Sequence, residues 1–251
     1  MAEKRNYNYI WIGAVILVFG AIFVPKIAGR LGEGSVVERD RMSVAAGSEA
    51  GSAPLEYITL NGERRKVPDF ALTNQDSLLI TDADYLGKVW VAEFFFTTCP
   101  TICPQMTANL VELQDELAEY EDFGVASFTI NPRHDTPAVL KDYAERYGIT
   151  DMDWHLLTGP RDSIYELANA GFNIFAAEIP DVPGGFEHSG LFALIDREGY
   201  IRSRKDQFGN PIVYYRGTIS RADGTNDTGE TEQISLLKED LLKLLKEENG
   251  K

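Results

Sequence analysis

The chain has 251 residues, of which 44% are hydrophobic and 25% are charged, and these values suit one substantial globular domain with additional segments. Its 24 Lys and Arg residues against 39 Asp and Glu residues give a formal charge of −15, which argues against a nucleic-acid-binding protein, because such proteins need basic residues to neutralise phosphates. Two cysteines are too few for a disulfide-stabilised scaffold.

Residues 9–24, "YIWIGAVILVFGAIFV", carry no charge and are followed by a polar stretch. The run is slightly short for a bilayer, but Tyr7 and Asn8 can extend it at the interface. Tyr7, Tyr9 and Trp11 resemble an interfacial aromatic belt. A cleaved signal peptide is the alternative, which the absence of a small-x-small site directly after the run disfavours. We therefore predict that residues 1–30 are a retained membrane anchor.

The segment that follows, residues 31–54, is rich in Gly, Ser, Ala and charges and has no sustained apolar period. This composition predicts a flexible linker. Residues 55–251 are then expected to form the folded domain, with an insertion at about 205–230 that has no obvious place in the pattern of elements.

The folded part alternates between strand and helix patterns. Strands are predicted at 67–72, 78–81, 88–96, 123–130, 154–158 and 190–195, with a hairpin partner at "YIRSR". Helices are predicted at 106–120, from a first turn at Pro104, at 137–147 between a Thr136 cap and Gly148, at 161–170 and at 232–248. This order predicts an α/β thioredoxin-like fold, with a central mixed sheet flanked by helices, parallel strands first and an antiparallel hairpin last.

Both cysteines lie in "FFFTTCPTICPQM", residues 94–106. Cys99 is expected just beyond the C-terminal end of a central strand and at the N-terminus of its helix, where the helix dipole favours thiolate over thiol. The three-residue spacing to Cys103 permits a disulfide or a redox pair, and it also suits two thiolates that converge on one metal ion. A structural disulfide or a pair of inert core thiols are the simpler alternatives.

The chain has three histidines, and their places in the predicted sheet differ. His155 opens a parallel strand at the opposite edge and is predicted to be structural. His134 follows a parallel strand at the same edge as the cysteines, as a surface residue or an auxiliary ligand. His188 directly precedes the antiparallel strand, which puts it at that edge too, so it is either a ligand facing Cys99 and Cys103 or an ordinary loop residue.

Two thiolates and one imidazole suit Cu(I) and Cu(II), and less distinctively Zn(II). A structural zinc site usually has four protein ligands, and here three are apparent. Met106 could supply a thioether, but a place in the core is the stronger prediction.

Three segments in this order resemble the SCO/SenC copper chaperones of cytochrome c oxidase assembly: "FFFTTCPTICPQM", "INPRHDTPAVLKDYAERYG" and "EHSGLFALIDREGYIR". The resemblance covers roughly residues 67–204 and the last helix. It implies copper binding by Cys99, Cys103 and His188, and an N-terminal membrane anchor.

The sequence departs from that family at three places. Asn131 stands where the family usually has Asp, which would weaken an acidic shell near the metal, and Thr98 stands where His or Tyr is common. The 205–230 insertion is longer than the usual connection.

The resemblance implies a membrane-tethered copper chaperone on the outer side of a bacterial inner membrane. It would pass copper to the oxidase subunit that carries the binuclear copper centre, with other copper chaperones as further candidate partners. The alternative is a thiol–disulfide oxidoreductase that uses Cys99 and Cys103 to reduce the cysteines of that subunit. A thioredoxin-fold peroxidase and an anchored domain with an incidental disulfide are weaker alternatives.

Overall fold

The computed structural model describes Leu17, Phe19, residues 54–60 and residues 62–247. Leu17 and Phe19 are helical and exposed. Apart from them and Pro54, the predicted anchor and linker lie outside the described residues. Among the residues that the structure describes, no helix has both the length and the apolar character needed to cross a membrane.

From Pro54 onward, short strands alternate with helices. The strands are β1 (Glu56–Tyr57), β2 (Thr59–Leu60), β3 (Glu63–Arg64), β4 (Ala71–Thr73), β5 (Leu79–Thr81), β6 (Val89–Phe95), β7 (Phe123–Thr129), β8 (Trp154–Leu157), β9 (Ala176–Glu178), β10 (Phe186–His188), β11 (Leu191–Ile195), β12 (Ile201–Ser203) and β13 (Tyr215–Arg216). The α-helices are α1 (Cys103–Glu116), α2 (Pro137–Tyr147), α3 (Arg161–Glu166) and α4 (Ile234–Lys246). A π-helical stretch, Leu167–Phe172, continues α3, and 3₁₀ turns form at Asp82–Tyr85 and Pro183–Gly185.

The main sheet has the strand order β1-β12-β11-β6-β7-β8. Strands β6, β7 and β8 are parallel, whereas β11 runs antiparallel to β6 and β12 antiparallel to β11. The predicted succession of parallel strands and then an antiparallel hairpin is therefore confirmed. It brings the ends of β6 and β7 and the start of β11 to one edge of the sheet.

Strand β6 lies between β11 and β7 in the middle of the sheet, and every one of its residues is buried. A continuous apolar run suits a strand that is covered on both faces. On one face Phe94 stacks on Phe128, with ring centroids 5.2 Å apart, and meets Phe172 edge-on. On the other face Phe95 packs against Tyr143 of α2, at 5.4 Å.

The bounds of α2 follow the predicted local signals. The Thr136 side chain accepts a hydrogen bond from the N–H of Val139, and Pro137 opens the helix. Gly148, with φ of 74°, ends it in the left-handed conformation. Helix α1 begins at Cys103, so Pro104 lies in its first turn as predicted, and it ends at Glu116 rather than 120.

Several predicted bounds were wrong where the hydrophobic pattern is weak. The short hairpin predicted from strands at 67–72 and 78–81 is confirmed as the antiparallel pair β4–β5, but its first strand spans only Ala71–Thr73 and the pair forms a separate two-stranded sheet. The helix predicted at 161–170 changes to π-helical geometry after Glu166. The two-residue strands β1, β2 and β3, and the β9–β10 pair, were not predicted, because so few residues carry no readable period. Strand β13 lies in "IVYYRGTI", for which the sequence permits an inserted loop or an extra hairpin, and it pairs with β11.

The 205–230 insertion has a definite place in the fold. Its strand β13 pairs with the first half of β11, next to the point where β12 pairs with the second half. The Asn109 side chain of α1 donates hydrogen bonds to the carbonyls of Gly217 at 2.9 Å and Ile219 at 3.2 Å. Tyr215 donates to the buried Asp240 of α4 at 2.7 Å. The insertion therefore extends the sheet and joins α1 to α4.

Candidate metal centre

The structure brings together the three residues that the sequence singled out as ligands. The candidate donor atoms of Cys99, Cys103 and His188 all lie within 4.8 Å of one another. Cys103 Sγ is 3.2 Å from His188 Nε2. Both cysteines are free thiols, and all three residues are buried. We refer to these three residues as the inner site.

The cysteine turn consists of residues 96–102 between β6 and α1. The backbone N–H of Cys99 donates to the carbonyl of Phe96 at 3.2 Å, so Cys99 lies in this turn rather than in the helix. Cys103 is the first helical residue, and its N–H points at Cys99 Sγ at 3.5 Å. The first N–H groups of a helix have no partner within the helix, so this one is available to stabilise a thiolate.

The pKa values of the two thiols are shifted in opposite directions. The hydrogen bond from the Cys103 side chain lowers the pKa of Cys99 to about 3, with smaller contributions from His188 and the Cys103 N–H. Burial raises the pKa of Cys103, and the charge of Cys99 raises it further. Cys99 is therefore the thiolate of the pair and Cys103 holds the proton.

His188 reaches this turn from the β9–β10 hairpin, in which it pairs with Ala176. The loop before β10 packs back onto the cysteine turn at Gly184, whose φ is 83°. A Cβ on Gly184 would lie 2.9 Å from the Phe96 ring and 3.0 Å from Pro100. A glycine is thus needed where the loop closes over the thiols.

A second glycine, Gly190, joins His188 to β11 with φ of 64°. A Cβ there would lie 2.4 Å from Cγ2 of Thr218 in the insertion. The insertion therefore packs closely against the segment between His188 and β11. Met106 is fully buried in the hydrophobic core, as predicted, and its sulfur lies 3.9 Å from the position of a Cβ on Gly190.

Sequence reasoning missed Asp135, a fully buried carboxylate at this edge. It accepts hydrogen bonds from the Thr97 N–H at 3.1 Å, the Thr97 hydroxyl, the Thr129 hydroxyl and His134 Nδ1 at 2.9 Å. Asp135 thereby anchors the cysteine turn to the end of β7. The available signal was its place in "NPRHDTP", directly after a buried strand.

The weakening effect of Asn131 on an acidic shell stays a prediction. The Asn131 carbonyl accepts hydrogen bonds from the N–H groups of His134 and Asp135, each at 3.0 Å. The buried carboxylate of this segment is Asp135. Thr98, the other departure, is exposed.

The remaining histidines lie where the topology predicted. His134 is half exposed at the cysteine edge and is not among the three clustered residues. His155 lies at the start of β8, with Nδ1 3.3 Å from the Asn74 side-chain amide and its ring 5.9 Å from that of Tyr85. These contacts give His155 a packing role at the far edge.

Glu93 is a buried acidic residue inside the otherwise apolar run of β6. Sequence reasoning missed it, although a single carboxyl in an apolar strand was a readable signal of a buried titratable group. Its Oε1 accepts a hydrogen bond from Ser127 at 2.7 Å, and Ser127 accepts one from the Trp154 indole at 3.0 Å. Its Oε2 has no hydrogen-bond partner among the described residues. Burial raises the pKa of Glu93 to about 7, so this carboxyl is mostly protonated in mildly acidic solution.

Comparison with known proteins gives a consistent result. The SCO1/SenC family model matches residues 59–220. A protein of Bacillus subtilis strain 168 described as a SCO1 protein homolog is 34% identical over 187 residues, which cover 71% of this chain and 95% of that protein.

Two solved structures are also similar. One is a SCO1/SenC family lipoprotein from Bacillus anthracis str. Ames, with 28% identity, a TM-score of 0.59 and coverage of 72% of this chain and 95% of that one. The other is BsSco, described as a Sco-family cytochrome c oxidase assembly protein with a disulfide switch, with 26% identity, a TM-score of 0.60 and coverage of 78% and 100%.

Proposed function

Because the chain belongs to the SCO1/SenC family, we propose that it is a copper-binding protein of cytochrome c oxidase assembly. The observation that carries the proposal is the convergence of Cys99, Cys103 and His188 within 4.8 Å. Two sulfur donors and one imidazole match the ligand preferences of copper. The similar BsSco is described as a member of a family of oxidase assembly proteins, which supports the client.

Copper is the cargo in this function, and the inner site suits both its capture and its release. The Cys99 thiolate is ready to bind, whereas Cys103 must lose a proton before it can act as a second sulfur donor. Three protein donors leave a coordination position at which a ligand of the recipient can enter. Transfer then proceeds by ligand exchange, without a change in the number of electrons on the protein.

The finer parts of the proposal concern location and client. We place the chain at a bacterial inner membrane, held by residues 1–30 as a single-pass anchor, with linker 31–54 and the domain on the outer side. The uncharged run 9–24 supports the single-pass anchor. The similar Bacillus anthracis protein is described as a lipoprotein, which supports attachment to a membrane but not a spanning helix. The recipient is then the oxidase subunit that carries the binuclear copper centre.

A thiol–disulfide oxidoreductase is the second candidate, and the unequal acidity of the two cysteines favours it. The Cys99 thiolate would attack a partner disulfide, form a mixed disulfide and release one partner thiolate. Cys103 would lose its proton, attack Cys99 Sγ and release the second partner thiolate. Two electrons would pass from the dithiol to the partner, which leaves Cys99 and Cys103 joined.

Metal analysis tests the main proposal. Reduced full-length protein in detergent, treated with excess copper and then freed of weakly bound ions, is expected to retain one copper per chain. The same protein oxidised to the Cys99–Cys103 disulfide is the matched control and should retain none, because both sulfur donors are consumed. Equal retention in the two forms would contradict the assignment.

A further inference from the structure

We propose that His134 is an outer copper ligand, whose Nε2 receives the incoming ion before it passes to the inner site. This inference rests on the proposed copper function. It assigns a role to a histidine that lies outside the three-residue cluster but at the same edge of the sheet.

The hydrogen bonds of Asp135 fix the orientation of the His134 imidazole. Asp135 accepts hydrogen bonds from the Thr97 N–H and hydroxyl and from the Thr129 hydroxyl. We assign the hydrogen of the 2.9 Å contact between His134 Nδ1 and Asp135 Oδ1 to the imidazole, because an ionised carboxylate can only accept. In the neutral ring this leaves the lone pair on Nε2, the arrangement found in carboxylate–histidine–metal sites.

The position of the ring beside the inner site follows from the same contacts. His134 Nδ1 is 3.4 Å from the Thr97 hydroxyl, and Thr97 is two residues before Cys99 in the cysteine turn. Asp135 binds both His134 and Thr97, so one buried carboxylate couples the imidazole to the turn that presents the thiolate.

His134 is more exposed to solvent than the inner site, and a relay from a carrier to the inner site requires this difference. Half of the His134 side chain, 51%, is exposed, whereas Cys99 and His188 are each 8% exposed and Cys103 is 1% exposed. A copper carrier can thus contact the outer imidazole while the inner donors are still covered.

The charges around His134 also suit a cation. The Asp135 carboxylate contacts the ring. The neighbouring Arg133 guanidinium is 3.7 Å from the Glu178 carboxylate, which also pairs with Arg161 at 3.1 Å. Because Arg161 is in addition 3.5 Å from Asp162, two carboxylates offset the two guanidinium groups. The exchange needs no redox partner: the carrier's ligand leaves the ion, Nε2 binds it, and the Cys99 thiolate then displaces the imidazole.

The chain's few histidines permit a direct test. In the full-length variant Cys99→Ser/Cys103→Ser/His188→Ala, only His134 and His155 remain as imidazole donors. We expect this variant to bind one Cu(II) weakly, with a single imidazole nitrogen visible in its electron paramagnetic resonance spectrum. Adding His134→Gln should remove the nitrogen signal, whereas adding His155→Gln should leave it.

The contact through which Asp135 orients the His134 imidazole gives a second test. Adding Asp135→Asn to the triple variant should weaken Cu(II) about tenfold, the loss typical when the partner of a metal-binding histidine is replaced. Circular dichroism and thermal melting would establish that each protein is folded. A nitrogen signal that persists without His134, or no Cu(II) binding by the triple variant, would overturn the inference.

Kinetics in the chain with an intact inner site complete the test. His134→Gln should slow copper uptake from a small-molecule copper complex in stopped-flow measurements, relative to wild type and to His155→Gln. Uptake at the wild-type rate would contradict the relay. Failure of the wild-type chain to bind copper would refute the proposed function itself, whereas wild-type binding with no role for His134 would refute this inference alone.

Discussion

Cys103 Sγ and His188 Nε2 lie 3.2 Å apart, although the two residues are separated by 85 positions in the chain. The contact forms because His188 ends β10 directly before β11, which runs antiparallel to β6, the strand that leads into the cysteine turn. A sulfur and an imidazole nitrogen at this distance can bind the same ion with little rearrangement.

The first prediction concerns the three inner donors. Cys99→Ser and Cys103→Ser should each abolish tight copper binding, because a chelate loses a soft donor. His188→Ala should weaken Cu(II) more than Cu(I), since two thiolates can hold Cu(I) alone. Competition with chelators of known affinity would measure both ions.

Met106→Leu is the control, because Met106 is a fully buried soft donor near this edge that we assign to the core rather than to the ligand set. A volume-conserving exchange of this kind is usually well tolerated. Copper binding is expected to be retained. A similar loss in Met106→Leu and in the cysteine variants would contradict the ligand assignment.

The second prediction separates copper delivery from disulfide reduction. His188→Ala should impair oxidase assembly in cells, with partial rescue by added copper, while Cys99 and Cys103 still exchange disulfides in vitro. A reductase needs the two sulfurs but no imidazole donor. Normal oxidase activity in His188→Ala cells, together with its loss in Cys99→Ser cells, would favour the reductase.

The third prediction uses the buried carboxyl of Glu93, whose pKa rises from 4.5 to about 7 on burial. Between these two values the folded chain holds a proton that the unfolded chain has released, so stability falls as pH rises through this window. The loss is roughly 3 kcal/mol for a fully buried group.

Glu93→Gln removes this linkage and keeps an oxygen that can accept the Ser127 hydroxyl. We expect denaturant unfolding at pH 4.5, 5.5 and 7 to show wild type losing stability relative to Glu93→Gln. Parallel stability curves for the two proteins would show that Glu93 titrates normally.

The fourth prediction concerns Gly190. An alanine there would adopt a left-handed backbone, which costs about 1 kcal/mol, and its Cβ would clash with Thr218 Cγ2. Gly190→Ala should therefore lower both the stability and the copper affinity, because the displaced segment carries His188. Denaturant unfolding and chelator competition would measure the two effects.

Gly209→Ala is the control, since Gly209 also has a positive φ but no atom within 4 Å of its added Cβ. It should show the backbone cost alone. Thr218→Ser removes the clashing methyl, so the double variant Gly190→Ala/Thr218→Ser should recover part of the loss. Equal stability losses in the two alanine variants would mean that the insertion does not press on the site.

The fifth prediction tests the anchor. Full-length protein should sediment with membranes, whereas a shortened chain that starts at Leu55 should stay in the soluble fraction and fold. Leu55 is buried, and its carbonyl accepts a hydrogen bond from Arg202 at 2.8 Å, so the shortened chain keeps β1 and its contacts. Full-length protein in the soluble fraction after lysis would contradict the prediction.

Features that depend on neighbouring residues were determined by the sequence alone. The buried run of β6 and the bounds of α2, set by Thr136, Pro137 and Gly148, are local signals of period and capping. The placement of the cysteines at the end of β6 follows from the same run. The topology of parallel and antiparallel strands also put His188 at the correct edge, although only the family resemblance favoured it over a loop histidine.

Features that depend on distant residues were decided by the tertiary structure. Strands as short as β13 form because β11 offers them free backbone partners, and the insertion owes its place to Asn109, Tyr215 and Asp240. The role of Asp135 depends on Thr97, which no local pattern connects to it. Such contacts satisfy buried polar groups across the fold, and the energetic cost of leaving those groups unpaired appears only once the chain has packed.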